Sequence, residues 1–210
     1  MRTRQYWFIV WGNCMNSDAL SPTPDFPAAD LHSDALITVR QAMPDDAQEV
    51  HGVVSECMRI YCRNSEISFS MTDASFETVD DVQAAISYVP FFVAVDSGGC
   101  IVGSVRLLTK QVSSFRVEGL ADMLSLNLSE NVSYFSRFAV REYRQGLGIG
   151  SLLYQSAQAK TKELQFSHML LHTSLANRIM VAFYEKRGFI LLFEDQSRGY
   201  PRGLFGKKLV

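Results

Sequence analysis

The amino-acid sequence predicts a single α/β domain whose β-sheet is mixed, mostly antiparallel and flanked by helices. Two predicted strands, 91–95 and 100–108, are joined across Asp96-Ser97-Gly98-Gly99, a composition typical of an antiparallel hairpin turn. In two further segments, 133–157 and 168–187, a buried strand is followed by an amphipathic helix. Hairpins and strand–helix units in one chain indicate a single sheet that is covered by helices.

The composition limits the functions that are compatible with the chain. Its 210 residues, 47% of them hydrophobic, are enough for one well-packed domain and an extension. A net charge of −2 argues against nucleic-acid binding, and no apolar run approaches the roughly 20 residues of a membrane span. The cysteines form no C-x-x-C pair and adjoin no histidine cluster, so we expect free thiols, no metal and a cytoplasmic location: Cys14, Cys57, Cys62 and Cys100.

Residues 1–34 differ in character from the rest of the chain. Residues 21–27 are rich in proline and lack periodicity, and the apolar run 6–11 is too short for a signal peptide and has no cleavage site close behind it. We therefore expect residues 1–34 to form a disordered or weakly docked extension, and residues 35–210 to form the folded domain.

The first part of that domain contains a strand and two helices. Residues 36–40 predict the first strand. Pro44 with the acids that follow it predicts a helix start, since proline suits the first turn and acids suit the positive end of the helix dipole. Residues 73–86 predict a second helix. The first helix continues through apolar residues at helical spacing: Val50, Val53, Val54, Cys57, Met58 and Tyr61.

The stretch 133–151, SYFSRFAVREYRQGLGIGS, combines an apolar strand, a charged turn, a glycine-rich loop and the start of a helix. This order favours phosphate binding, because glycines let backbone N–H groups converge and a helix N-terminus adds unsatisfied donors. The Lys-Ser/Thr of a P-loop is absent, and the glycines run G-x-G-x-G rather than G-x-G-x-x-G. The motif that remains is Gln-x-x-Gly-x-Gly.

The last part of the chain adds a strand at 168–173 and a helix over 177–187. Gly188 stands where a left-handed glycine ends a helix. Residues 190–193 and 204–209 predict the closing strands.

Two motifs in this order resemble the GNAT superfamily of N-acetyltransferases. They are Gln145-x-x-Gly-x-Gly150, which resembles the pyrophosphate-binding loop, and the run Asn177…Ala182-Phe-Tyr-Glu-Lys…Gly188-Phe189. The resemblance covers roughly residues 37–209 and implies a sheet that is splayed at its central strands. It also implies acetyl-CoA, or a longer acyl-CoA, as co-substrate and a small-molecule or peptide amine as acceptor. A homodimer is compatible with these expectations.

The resemblance also assigns roles to individual residues. Tyr184 matches the general acid that protonates the departing thiolate, and a phenol with a reference pKa of about 10 keeps its proton at neutral pH. His172 is the candidate base, although a water chain could replace it, and Tyr134 and Ser136 are weaker candidates. Coenzyme A is expected to contact the strand end, the loop and the tyrosine helix: Phe138, Ala139, Val140, Gln145, Gly146, Leu147, Gly148, Ile149, Gly150, Ser151 and Asn177.

Two other functions stay open. The stretches Arg106-Leu-Leu and Ser136-Arg-Phe-Ala-Val resemble the branch of acyl-homoserine lactone and N-acyl amino acid synthases, which use acyl carrier protein. That branch usually has a glutamate where Tyr134 stands, and the lactone synthases lack the loop. A catalytically dead acyl-CoA sensor is the second alternative, which the intact Tyr184 disfavours. Residues 110–131 form an insertion whose leucines suggest a short helix, which we expect to cover the acyl or acceptor side of the cleft.

Overall fold

The computed structural model describes residues 36–209. The expected extension at 1–34 lies outside the described residues, as does Cys14, while Cys57, Cys62 and Cys100 are free thiols. Seven strands form one sheet: β1 Thr38–Gln41, β2 Phe91–Val95, β3 Ile101–Gln111, β4 Asn131–Val140, β5 His168–Ser174, β6 Ile190–Asp195 and β7 Arg202–Lys208. Their order is β1-β2-β3-β4-β5-β7-β6, and only β4 and β5 pair in parallel, so the predicted mixed, mostly antiparallel sheet is confirmed.

Five α-helices accompany the sheet: α1 Ala47–Ser65, α2 Val79–Tyr88, α3 Leu120–Leu124, α4 Ile149–Glu163 and α5 Arg178–Glu185. Successive residues of β2 show how the layers form, because neighbouring side chains on a strand point to opposite faces. Val93 packs with Val50 of α1 and Val82 of α2, whereas Ala94 packs with Leu153 of α4. The sheet is therefore buried on both faces at β2. None of the helices within residues 36–209 has the length and apolarity that a membrane crossing needs.

The parallel pairing between β4 and β5 is very short. Only Ser133 with Met169 and Tyr134 with Leu170 are in register. Beyond Tyr134 the two strands diverge, while β4 continues to Val140 along β3 alone. This divergence confirms the splayed sheet and leaves one backbone edge of β4 open.

A bulge in β4 lies within the open part of the strand. Ser104 of β3 pairs with Ala139 and Arg106 pairs with Ser136, so two β4 residues oppose one residue of β3. Arg137, one of the two, has φ +50°, the left-handed region that non-glycine residues rarely adopt. The bulge changes the direction in which the following backbone groups point.

Two predicted elements differ from the observed ones. Residues 73–86 do not form one helix: Asp73–Ser75 is a single 3-10 turn, and α2 begins at Val79. Thr78 sets that start, because its hydroxyl accepts a hydrogen bond from the Asp81 N–H while the Asp81 carboxylate accepts one from the Thr78 N–H. This capping box was overlooked in the sequence.

The insertion at 110–131 is shorter than the sequence suggested, because both flanking strands extend into it until Gln111 pairs with Asn131. Its predicted short helix is α3. Leu120 and Leu124 of that helix pack on Leu170 of β5 and Leu204 of β7. The insertion therefore builds a separate apolar cluster over the far half of the sheet.

Two glycines provide a matched test of how closely β3 packs on β4 and α4. A β-carbon on Gly103 of β3 would lie 2.8 Å from the Ala139 carbonyl oxygen and 2.9 Å from Leu153, whereas one on Gly52 of α1 would meet nothing within 4 Å. We expect Gly103→Ala to destabilise the protein by about 1–3 kcal/mol through overpacking. Gly52→Ala should stabilise it by about 0.5–1 kcal/mol through helix propensity. Urea unfolding of both variants measures the difference, and equal stabilities would contradict the close packing of β3 on β4.

Candidate active site

The divergence of β4 and β5 opens a cavity of about 590 Å³. Both predicted catalytic side chains, Tyr184 and His172, line it. Ten of the eleven residues expected to contact coenzyme A also line it. The exception is Leu147, whose side chain is 63% exposed and which is not among the described residues that line the cavity. None of the described lining residues comes from 110–131, so the expectation that the insertion covers the cleft is wrong.

The glycine-rich loop has the backbone geometry of an anion site. Gly146 and Gly148 both have φ +82°, and a β-carbon at either position would meet nothing within 4 Å. Gly148 is the N-cap of α4, so the first N–H groups of that helix have no acceptor within the helix. Open space and unsatisfied donors at a helix N-terminus suit a phosphate.

The side chain of Gln145 ties this loop to the end of β4. Its Nε2 donates a hydrogen bond to the Val140 carbonyl oxygen at 3.0 Å. On the opposite side, a β-carbon on Gly150 would lie 3.1 Å from the Phe138 ring, so any larger residue there would have to displace this ring or the helix slightly. The loop is therefore fixed relative to the open strand edge before any ligand binds.

The backbone N–H of Val140 faces the cavity. Arg141 N–H donates to Val102 O at 2.9 Å, and backbone groups alternate along a strand, so the groups of Val140 point away from β3. They point toward the Cys57 thiol of α1, which also lines the cavity. Burial raises the pKa of this thiol to about 12, although the Val140 N–H lowers it slightly. Negative charge on sulfur is thus strongly disfavoured here.

Tyr184 lies on α5 against the same wall. Its ring packs edge-on to Phe135 at 6.1 Å and to Phe189 at 5.7 Å between centroids, and the residue is only 5% exposed. Burial first, and then the neighbouring phenols of Tyr61 and Tyr134, raise the pKa of Tyr184. The hydroxyl therefore keeps its proton over the whole physiological range.

Asn177 is the N-cap of α5. Its Oδ1 accepts a hydrogen bond from the Met180 N–H at 3.2 Å, and the residue is buried at the cavity wall. Gly188, with φ +82°, ends the segment where the sequence predicted. Together these two residues fix the position of Tyr184 between them.

His172 forms a pair with Tyr134 that the sequence did not reveal. The Tyr134 hydroxyl and His172 Nδ1 are 3.0 Å apart, and His172 Nε2 is 3.8 Å from Asp195 Oδ2. Burial first, and then the charge of Arg202, lower the pKa of His172 to about 4, despite the opposing charge of Asp195. The imidazole is thus neutral at physiological pH and is a weaker base than a histidine with a pKa near neutrality.

The pair arises because Tyr134 stands opposite Leu170 and His172 follows two residues later, on the same face of the sheet. Phe115 stacks on the imidazole, with 6.3 Å between ring centroids and 25° between ring planes. The insertion therefore packs against His172 through Phe115 and does not cover the cleft.

The charged residues that line the cavity are almost all cationic. Asp73 is the one acid among the described lining residues, which also include five arginines: Arg137, Arg144, Arg187, Arg198 and Arg202. Arg187 lies beside the loop, where its Nη2 donates to Ser151 Oγ at 2.7 Å and its guanidinium stacks 3.4 Å from the Phe183 ring centroid. Sequence analysis missed Arg187, although it stands directly before the capping Gly188.

The low pKa of His172 predicts an acid-sensitive stability. Between about pH 6.5 and pH 4 the unfolded chain binds a proton at this histidine and the folded protein does not, so acidification favours unfolding. The loss reaches about 3 kcal/mol at most. His172→Asn keeps a hydrogen-bonding group near Tyr134 but does not titrate. His168, whose pKa burial also lowers, stays in both proteins.

Urea unfolding of both proteins at pH 8 and pH 4.5 measures this contribution. The wild type should lose more free energy of unfolding on acidification than the variant. Equal losses in the two proteins would show that His172 titrates normally.

Comparisons with known proteins agree with the fold described above. A sequence profile described as the Acetyltransferase (GNAT) family matches residues 56–189, whereas a comparison with curated protein sequences finds no match. The structure resembles PaiA N-acetyltransferase from Thermoplasma acidophilum in complex with coenzyme A, with a TM-score of 0.66 and 15% identity over 83% of this chain and 99% of that one.

Two bacterial structures show the same fold. A GNAT-family acetyltransferase from Streptococcus agalactiae has a TM-score of 0.63 and 16% identity over 83% and 96% of the two chains. An N-acetyltransferase from Staphylococcus aureus has a TM-score of 0.60 and 14% identity over 82% and 98%. Neither the profile nor these structures point to the acyl-homoserine lactone or N-acyl amino acid synthase branch. Because the profile matches more than half of its length, the chain belongs to the GNAT acetyltransferase family.

Proposed function

We propose that this protein is a coenzyme A-dependent N-acetyltransferase that moves an acetyl group from acetyl-CoA to a primary amine by direct attack. The proposal rests on one observation, the arrangement of three groups along one wall of the cavity. There, the diverging strands bring together the glycine-rich loop, the outward-facing N–H of Val140 and the phenol of Tyr184. An anion site, an oxyanion donor and a proton donor are the groups that acyl transfer from a thioester requires.

Coenzyme A fits the residues that are present. The N–H groups at Gly148 and in the first turn of α4 would hold the pyrophosphate, with Arg187 adding positive charge at the same end of the cavity. Arg144 also lines this end, where its Nη2 is paired with Asp96 at 2.9 Å. The free edge of β4 up to Val140 would pair with the extended pantetheine as if it were a further strand. Asn177 would contact the same arm from the opposite wall.

The reaction can be assigned to atoms of this chain. The amine nitrogen attacks the acyl carbon and forms the C–N bond, while the Val140 N–H stabilises the negative charge on the carbonyl oxygen. The C–S bond then breaks, and the departing sulfur takes the phenolic proton of Tyr184. The amine releases one proton, which passes to solvent past His172 and returns through solvent to Tyr184. One C–N bond replaces one C–S bond, and no oxidation or reduction occurs.

The Cys57 thiol indicates why the departing sulfur needs a proton. Its pKa of about 12 shows how poorly this cavity stabilises a thiolate. A leaving thiolate buried beside it would experience the same desolvation and would become a stronger base. Burial raises the pKa of Tyr184 as well, so the proton donor and the proton acceptor are shifted in the same direction. Proton transfer between them therefore stays feasible within the buried site.

Gly148→Asp tests the coenzyme A site, and Gly99→Asp is its matched control. Both glycines have nearly the same φ, +82° and +83°, and both have open space around the β-carbon position, so the two substitutions impose similar backbone strain. Only Gly148→Asp places a carboxylate where phosphates would approach. We expect acetyl-CoA affinity, measured by calorimetry, to fall more than about 100-fold in this variant and to persist in the control. Unchanged affinity in a folded Gly148→Asp protein would overturn the assignment of the loop.

Tyr184→Phe tests the proton donor, and Tyr154→Phe is its control. Tyr154 is an equally buried tyrosine of the same aromatic cluster, and its hydroxyl accepts a hydrogen bond from Lys207 Nζ at 2.9 Å. We expect Tyr184→Phe to lower the single-turnover rate roughly 10²–10⁴-fold with little change in acetyl-CoA affinity. Tyr154→Phe should leave both unchanged. A full single-turnover rate in Tyr184→Phe would remove this residue from the mechanism, and acetyl-CoA binding without transfer to any amine would favour a sensor.

A further inference from the structure

We propose that the acceptor is a small amine that also carries a carboxylate, of the amino-acid class, and that arginines at the end of the cavity remote from the glycine-rich loop bind this carboxylate. The inference rests on the proposed acetyl transfer and names its acceptor. Three of the five lining arginines, Arg137, Arg198 and Arg202, belong to this acceptor end, together with Tyr134 and His172.

These three arginines lie close to one another around Asp73. Arg198 Nη2 donates to Asp73 Oδ2 at 3.0 Å, a link between the turn that joins β6 to β7 and the 3-10 turn before α2. The hydrogen bond from Arg198 is the main cause that lowers the pKa of Asp73, and the charges of Arg137 and Arg202 lower it further. One carboxylate therefore shares a small volume with three guanidinium groups.

The residues behind the acceptor end do not cancel this positive charge. Glu77 is held between Arg106 and Arg137, with N–O distances of 2.9 Å and 2.8 Å. Lys110 adds a fifth cation, and its ammonium lies 4.5 Å from the Tyr134 ring centroid. The charged residues named for the acceptor end are five cations and three carboxylates around a neutral His172. The cations are Arg106, Lys110, Arg137, Arg198 and Arg202, and the carboxylates are Asp73, Glu77 and Asp195.

Part of this positive charge is poorly solvated and retains unused donors, although the side chains of Arg198 and Asp73 are 40% and 63% exposed. The side chains of Arg137 and Arg202 are only 13% and 18% exposed. The pair with Glu77 uses Nε and Nη2 of Arg137, whereas Arg202 uses Nε for Asp195 and Nη2 for Ser197. Within residues 36–209, Nη1 of each arginine therefore has no acceptor. Uncompensated charge away from water is costly, and planar guanidinium groups bind carboxylates well.

This arrangement selects among amines. A ligand carboxylate beside Arg137 and Arg202 would neutralise the excess charge and direct the amine of the same molecule toward the acyl end. A polyamine would instead bring further positive charge into a site where cations already outnumber carboxylates. The acceptor end should therefore favour amino acids over their amides, and both over diamines and polyamines.

The test compares acceptors that differ only in charge. The kcat/KM for acetyl transfer is measured for the twenty amino acids, for their carboxamides, and for diamines and polyamines, by release of free thiol from acetyl-CoA. We expect the best acceptor to carry a carboxylate and its amide to lose roughly 10- to 100-fold in kcat/KM, mainly through KM, as for one charge-assisted hydrogen-bonded pair. An equally good amide, or a preferred polyamine, would overturn the inference and leave the proposed acetyl transfer standing.

Arg198→Gln adds a test within the protein. Arg198 lies in an exposed turn, so the fold should tolerate the change, and the variant leaves the carboxylate of Asp73 unpaired at the acceptor end. The preference for the acid over its amide should shrink roughly 10-fold or more, whereas Lys162→Gln, on the exposed surface of α4, should keep it. Equal losses for acid and amide in Arg198→Gln would indicate a structural role only. Absence of transfer to every amine in the panel would overturn the proposed function itself.

Discussion

The candidate active site depends on the shortness of one parallel strand pair. Two residue pairs, at Ser133 and Tyr134, join β4 to β5, and after them the strands separate. In a continuous sheet, the backbone groups of β4 that follow Tyr134 would hydrogen-bond to β5 and could not bind a ligand. The separation leaves them facing a cavity. Because parallel pairing occurs nowhere else in the described sheet, the cavity forms at the point where strand direction changes, a common position for ligand sites in α/β folds.

Burial keeps three groups along this cavity electrically neutral. It keeps the Cys57 thiol and the Tyr184 phenol protonated, and it keeps His172 neutral with a pKa of about 4. A cavity lined by neutral hydrogen-bonding groups can hold a reactive thioester without presenting a competing thiolate. The charged residues among the described lining residues are five arginines and Asp73, and they lie toward the two ends of the cavity, where the anionic parts of the two proposed substrates would bind.

The features of the fold and of the candidate site that could be predicted from the sequence are those set by residues adjacent in the chain. The loop at 145–150, the hairpin at 96–99 and the cap at Gly188 follow from residues adjacent in the chain, and glycine at positive φ is a strong local signal. The start of α2 was misplaced because the cap at Thr78 was overlooked. The link between Asp73 and Arg198 joins residues 125 positions apart. Such pairs arise only when the sheet order brings distant turns together, so periodicity and motifs cannot indicate them.

Arg137 connects the two halves of the site. As a bulge residue at φ +50°, it adopts a backbone conformation that costs free energy, of order 1–3 kcal/mol for such outliers. Its guanidinium is held by two hydrogen bonds from Nε and Nη2 to Glu77, and Ser104 Oγ donates to its carbonyl oxygen at 3.0 Å, so the conformation is fixed from both sides of the chain. The same bulge precedes the backbone that would face the thioester in the proposed reaction, and it places a cation at the proposed acceptor end. One local distortion of β4 thus aligns the two proposed binding sites.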